Sequence, residues 1–296
     1  MTTSASTHRP LRRLLAVLTA LLAAVALAGC AQSANSATTT SSRSLLDQVK
    51  EKGVLKVGIR ADNPPHSFID PSGRWVGFDV DIANAIAKDW GVRLEPVKVD
   101  ELTRISFLDN GRIDLAVASM SKTRKRAEKV DFSQTYFFSS QSFLVRSGQV
   151  ASFDQLVGKR VGASRGSSSI GNWTTWLSGH GHAGTPDIIQ FGDKQAAAAA
   201  VKQGSIAGWA EDYEVLAAYA KKTPGLSVLN DAGGIGVKRD GIAMHKNDSA
   251  LRLAVDLALQ DIQRSGDYDK IYDTWFGASS ATPVPRQGQI EVWPNG

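Results

Sequence analysis

The chain is poor in the residues that support thiol, metal and nucleotide chemistry. Cysteine occurs once, at Cys30, so the chain cannot staple itself with a disulfide. There is no His-Glu-x-x-His, no paired Cys-x-x-Cys and no glycine-rich loop ending in Lys-Ser or Lys-Thr. The usual sequence support for metal-driven and nucleotide-driven reactions is therefore missing. His180-Gly181-His182 has no nearby acid or cysteine to complete a ligand set and is expected to be an exposed loop. No metal and no cofactor is expected. After residue 30 no apolar run approaches the length of a membrane span. The basic excess is also small: of the formal charge of +5, three arginines (Arg9, Arg12, Arg13) lie in the first 29 residues without an acid, leaving +2. Nucleic acid is not an expected partner.

What the first thirty residues do have is a basic start, an apolar run from Leu14 to Ala28, and Leu27-Ala28-Gly29-Cys30. The run is too short, and too rich in small residues at its end, for a spanning helix, so residues 1–29 are expected to be an export signal. The Leu-Ala-Gly-Cys sequence resembles the lipobox of bacterial lipoproteins. That resemblance implies that Cys30 becomes the acylated N-terminus and anchors the chain by lipid to the outer face of the cell membrane, so the rest works outside the cytoplasm. Residues 30–43, Ser/Thr/Ala-rich from Ala31 to Ser42, carry too little apolar content to fold and are expected to be a flexible tether.

From there on, short β-rich runs alternate with helical stretches, which predicts an α/β fold with largely parallel sheets. Strands are expected at Val54–Ile59, Leu94–Val99, Leu115–Ala118, Arg160–Ala163, Ile206–Ala210 and Gly241–His245. In the helix predicted over Asp79–Trp90, Ile82, Ile86 and Trp90 share a face with Ala83 and Ala87, a core-facing stripe. A long helix is expected over Ser249–Ser265 and a short one ending near Trp275. The tail from Ala278 to Gly296, with Pro283, Pro285 and Pro294, reads either as an extended strap or as disordered.

Two segments echo each other. A helix before Gly111-Arg112-Ile113 leads into a strand delivering Ser119, and a helix before Gly204-Ser205-Ile206 leads into one delivering Asp212, at the same interval. Ligands of open α/β sheets sit beyond the carboxyl ends of strands, which is where both residues fall. Two lobes facing each other across a cleft would bring them together.

Ser119-Met120-Ser121-Lys122-Thr123-Arg124-Lys125-Arg126 holds three hydroxyls and four cations in eight residues. Lys122, Arg124 and Lys125 are expected to be solvated, whereas Arg126 opens the turn toward Val130-Asp131-Phe132-Ser133. Gly166-Ser167-Ser168-Ser169 precedes a predicted helix, whose free N–H groups suit an anion, although simple serine capping explains it too. Together an arginine, this helix start and the isolated Asp212 form a set able to grip a carboxylate and an ammonium.

These residues carry a family resemblance. Gly77-Phe78-Asp79-Val80-Asp81-Ile82, Asp114-Leu115-Ala116-Val117-Ala118, Thr123 through Arg126, Asp131-Phe132-Ser133 and Tyr272-Asp273-Thr274-Trp275-Phe276-Gly277 resemble the polar amino-acid-binding proteins of ABC importers, family 3 of the extracellular solute-binding proteins. Trp90 and Ala207 depart from the family's usual residues. The resemblance implies a type II periplasmic-binding-protein fold, two α/β lobes around a ligand cleft joined by a hinge. Lobe 1 would be residues 44–142 and 240–277, lobe 2 residues 143–239, with a tail over 278–296. It further implies that Arg126 forks onto the ligand α-carboxylate, that Ser121 and Ser168 complete that grip, and that Ser119 and Asp212 hold the α-ammonium. The implied protein is a monomer, not an enzyme, that delivers its ligand to the membrane subunits of an ABC permease.

Selectivity would come from Arg60, Glu101 and Arg104. Arg60 stands where relatives that bind basic amino acids carry an acid, and Arg104 is similar to an arginine of glutamate and aspartate binders. Glutamate or aspartate is the first expectation, glutamine or asparagine the second, the latter gaining if Glu101 pairs with Arg104 across one helical turn. A receptor-coupled sensor would use the same binding chemistry. A cyclohexadienyl dehydratase-like enzyme is the remaining rival, with Glu101 or Glu211 as general acid if burial raised its pKa.

Overall fold

In the computed structural model, which describes residues 44–182, 184–230 and 234–294, the apolar runs assemble into one mixed nine-stranded sheet. The expected export signal, Cys30 and the tether lie outside the described residues. Helix α1 (Leu45–Lys52) leads into β1 (Val54–Arg60). Three short strands, β2 (Asp62–Asn63), β3 (Ser67–Ile69) and β4 (Trp75–Val76), make a small antiparallel sheet. Helix α2 (Phe78–Asp89) returns the chain to β5 (Arg93–Val99), and α3 (Thr103–Asp109) to β6 (Leu115–Ala116). Both strands pair with β1 in parallel, as strand–helix–strand connections favour.

After the single turn α4 (Arg124–Ala127), the 16-residue β7 (Asp131–Arg146) carries the chain away from this group. A second parallel group follows: β8 (Val161–Ser164), α5 (Ser169–Gly179), β9 (Ile188–Phe191), α6 (Lys194–Gln203) and β10 (Gly208–Asp212). Here β8 lies between β9 and β10, parallel to both. Helix α7 (Tyr213–Lys222) and β11 (Leu226–Val228) precede β12 (Gly236–Met244), which runs back antiparallel to β7 and reaches β6. The sheet order β5-β1-β6-β12-β7-β10-β8-β9 thus joins two parallel groups through one antiparallel pair. Helices α8 (Ser249–Arg264) and α9 (Asp267–Phe276) pack back on the first group.

The stripe read from the sequence on α2 is buried: Ile82, Ala83 and Ile86 are fully enclosed, with Ala87 and Trp90 beside them. They meet an aromatic cluster in which Phe78, Phe137 and Phe276 surround His66 edge-on or tilted, with Tyr272 against all three phenylalanines. Entry to α2 depends on Gly77, whose φ of 131° suits glycine and where an added Cβ would sit 2.3 Å from the His66 carbonyl oxygen. That carbonyl also accepts the Asp79 N–H at 2.7 Å, so it cannot move away freely. Gly77→Ala is expected to destabilise the protein by roughly 2 kcal/mol or more. A urea midpoint equal to that of the parent would contradict this.

The tail runs along the first group as an extended strap. Val284 and Ile290 are buried, the Tyr272 hydroxyl donates to the Val284 carbonyl at 2.9 Å, and the Trp293 N–H donates to Gln260 Oε1 at 2.8 Å.

Of the elements that differ from the sequence reading, three bear on the site. β6 stops at Ala116, two residues early, because the chain turns out through Ser119 at φ 48°. β12 starts at Gly236, five residues before the expected Gly241. β7 has no counterpart in the sequence reading, since its mix of serine, glutamine and phenylalanine lacks a clean two-residue alternation.

Candidate functional site

All eight residues singled out from the sequence line one cavity: Arg60, Glu101, Arg104, Ser119, Ser121, Arg126, Ser168 and Asp212. Asn63, Gln141, Ser167 and Glu211 complete the lining. Strand ends bring them there. Arg60 closes β1, Ser119 follows β6 and Asp212 closes β10, so the carboxyl ends of both parallel groups converge. Ser119 Oγ lies 3.4 Å from Asp212 Oδ2, across 93 residues of chain.

One end of the cavity is cationic. Arg126 rises from the short α4, donating through Nη1 to the Ser121 carbonyl at 2.8 Å and through Nη2 to the Gly166 carbonyl at 3.0 Å. Gly166 has φ 77°, and a Cβ there would press on Leu102 and Glu101, so glycine keeps the carbonyl where Arg126 needs it. Arg104, from α3, is buried and donates through Nη1 to the Ala118 carbonyl at 2.8 Å, while its Nε has no partner among the described residues. Among the described residues neither arginine has a carboxylate within 4.0 Å. Burial, and next the charge on Arg126, lower Arg104 to about 9; burial also lowers Arg126. Ser168, just before α5, donates to Ser121 Oγ at 3.4 Å and accepts from Gln141 Nε2 at 3.1 Å. Two guanidiniums with backbone partners only, next to serine hydroxyls and a helix start, make a place for an anion.

The opposite end is anionic. Asp212 accepts from Gln141 Nε2 at 2.8 Å through Oδ1 and pairs with Lys238 Nζ at 2.8 Å through Oδ2. Lys238, on β12, also reaches Glu214 at 3.0 Å, Asp240 at 2.7 Å and Ser119 Oγ at 2.8 Å. Burial opposes its charge, but the three carboxylates raise its pKa well above the usual lysine value. Glu214 is held below the usual range: burial would raise it, and Lys238 and His66 outweigh that. His66 binds Glu214 at 2.7 Å and faces Asp79 at 3.6 Å. Burial and Lys238 lower its pKa, yet these carboxylates bring it up to about 9.

Sequence reasoning missed Lys238, Glu214 and Asp240 altogether. Lys238 and Asp240 flank Arg239 on a strand that was not read that far forward, and Glu214 falls two residues after Asp212, in a helix start where an acid is ordinary. His66 is fully buried, in the core and in this cluster.

The third region is nearly self-neutralised. Arg60 donates to Asp62 at 2.8 Å and to Glu101. Despite burial these acids raise its pKa. Lys194, from the start of α6, is buried and pairs with Glu211 and, at 3.7 Å, with Glu101. Glu211 also accepts from Ser164 Oγ at 2.6 Å. The condition under which an amide ligand would gain, a Glu101–Arg104 pair, is not met: Glu101 turns to Arg60 and Lys194, while Arg104 points to the Ala118 carbonyl. Burial would raise Glu101, but Lys194, Arg60 and Arg104 hold it below the usual carboxylate range, the opposite of the upward shift a general acid needs near neutral pH. Trp209, three residues before Asp212, is core.

A cleft between two α/β halves, unpaired guanidiniums at one end and surplus carboxylate at the other, suits a small zwitterion. Residues 55–278 match the family model of bacterial extracellular solute-binding proteins, family 3, and the chain belongs to that family. The L-cystine-binding protein TcyJ of Escherichia coli (strain K12) is 31% identical over 249 residues, covering 82% of this chain and 90% of that one. The ABC transporter glutamine-binding protein GlnH of Bacillus subtilis (strain 168) is 31% identical over 254 residues, covering 84% and 90%. Among solved structures, the ancestral amino acid-binding protein AncCDT-1, a precursor of cyclohexadienyl dehydratase, superposes with a TM-score of 0.70 at 31% identity. It covers 78% of this chain and 99% of its own. The fold is the type II periplasmic-binding-protein fold, two α/β lobes around a ligand cleft joined by a hinge. The protein is an amino-acid-binding solute-binding protein of an ABC transport system, a family whose members work outside the cytoplasm.

Proposed function

We propose that the protein is a lipid-anchored capture protein, attached to the outer membrane face through Cys30, that closes on one polar L-amino acid and presents it to the permease as a monomer. The observation carrying this reading is the pair of arginines without carboxylate partners, buried Arg104 and half-buried Arg126, facing the carboxylate-rich end at Asp212. The ligand α-carboxylate takes the first end, with Ser121 and Ser168. The α-ammonium takes the second, with Ser119. Residues 44–142 with 240–277 form one lobe and 143–239 the other, and ligand bridging Arg126 and Asp212 favours the closed state because both lobes hold it at once.

For the side chain, the charge arrangement favours glutamine or asparagine over glutamate or aspartate. Arg60 was the reason to expect an acidic side chain, and it is already matched by Asp62 and Glu101. A carboxylate side chain adds an anion beside Glu101 and Glu211, and a basic one brings a cation against Arg60 and Lys194. An amide both donates and accepts without either cost. Calorimetry against L-glutamine, L-glutamate, L-cystine and L-arginine tests the ranking. Glu101→Gln is expected to move the glutamine-to-glutamate affinity ratio toward glutamate by about tenfold, roughly 1.4 kcal/mol. An unmoved ratio would mean that the side chain is not read at Glu101. The sensor alternative shares this chemistry, and copurification with permease subunits or with a signalling receptor separates the two.

A further inference from the structure

The amine end contains more carboxylate than its own cations can balance. Asp212, Asp240 and Glu214 stand around one ammonium, at 2.8, 2.7 and 3.0 Å from Lys238 Nζ. That ammonium has three donors and four acceptors in reach, since Ser119 Oγ lies at 2.8 Å. His66 adds no spare charge because Glu214 and Asp79 already face it. One oxygen is left over: Asp240 Oδ1 is buried and accepts no hydrogen bond from any described residue. The cluster meets the cavity at Asp212 and at Ser119, whose hydroxyl lies 3.4 Å from both Asp212 Oδ2 and Asp240 Oδ2.

We propose, on the amino-acid reading above, that Asp240 is a specificity-determining residue of the amine end, acting through Ser119 and Lys238 as a second carboxylate that demands a fully charged ligand ammonium. Such a site rejects des-amino and 2-oxo acids, which bring a carboxylate for Arg126 but no positive charge. The ammonium also displaces a proton. In the empty site burial raises the Asp240 carboxyl to about 6, Asp212 adding to the rise and Lys238 and His66 opposing it. A bound ammonium stabilises the ionised form, so affinity is full above that pH and falls as pH drops through it. The other charged and titratable groups facing Asp240 are Arg104, Arg126, Lys122 and Tyr136. His66, at about 9, stays protonated across this range, and Tyr136, raised well above 10, stays neutral.

Calorimetry on the purified protein tests this with whichever of L-glutamine, L-glutamate and L-arginine binds most tightly, and with its des-amino counterpart (glutaramate, glutarate or 5-guanidinopentanoate). Three results are expected. Affinity drops by about tenfold per pH unit below 6. Two buffers of different ionisation enthalpy reveal proton release at that pH. The des-amino acid binds at least about a hundredfold more weakly at neutral pH. Asp240→Asn should flatten the pH profile, and the proton count on the unmodified protein serves even if that variant fails to fold. Affinity flat through pH 6 without proton release, or a des-amino acid bound within about tenfold, overturns the role of Asp240 while leaving amino-acid binding intact. If none of the three amino acids binds, the amino-acid reading itself falls, and the role of Asp240 with it.

Discussion

Arg126→Ala is expected to weaken amino-acid binding by at least about thirtyfold, roughly 2 kcal/mol, in calorimetry. Removing one partner of a buried, hydrogen-bonded charge pair leaves the other charge desolvated and unmatched, which is the main source of the loss. The guanidinium is held ready by two carbonyls, Ser121 and Gly166, that fix its plane without neutralising it. Arg126→Lys keeps the charge but loses the planar fork, so it should fall between the parent and the alanine variant. Arg124, two residues away and exposed, is the control, and Arg124→Ala should bind as the parent does. Equal affinity for Arg126→Ala and the parent would remove Arg126 from the site.

The second large effect is on stability. Lys238→Met is expected to cost about 3–5 kcal/mol, because it leaves Asp212, Glu214 and Asp240 around a hole where their shared cation stood. For a chain of this size that corresponds to a thermal midpoint lower by about 10 °C. The loss should shrink in acid, as Asp240, already raised to about 6, takes a proton and relieves the repulsion. Lys270→Met, which removes an exposed partner of Asp267, should change little. A Lys238→Met variant as stable as the parent at neutral pH would mean that water or rearranged side chains replace the ammonium.

Which parts of this were legible in the sequence follows from range. The α2 stripe at Ile82, Ile86 and Trp90 is a local pattern and reads directly from spacing. The interval shared by Gly111–Ser119 and Gly204–Asp212 is local in each copy, and the convergence follows because strands of both groups end at one cleft. Charge pairing is not local. Glu101 is one helical turn from Arg104, yet it chooses Arg60, 41 residues away, because β5 lies beside β1. The same limit hid Lys238: only the pairing of β12 with β7 carries it to Asp212 and Ser119. β7 was illegible for another reason. It passes from one lobe to the other, so its burial follows no single face, and the two-residue period that marks a strand is absent.

The most direct measurement is a crystal structure of the protein with L-glutamine bound. The account predicts the ligand α-carboxylate in a two-pronged contact with Arg126, its ammonium within hydrogen-bond distance of Asp212 and Ser119, and its amide between Arg60 and Glu101. A ligand seated with its carboxylate away from Arg126, or a cavity left empty at saturating glutamine while another amino acid fills it in a different orientation, would contradict it.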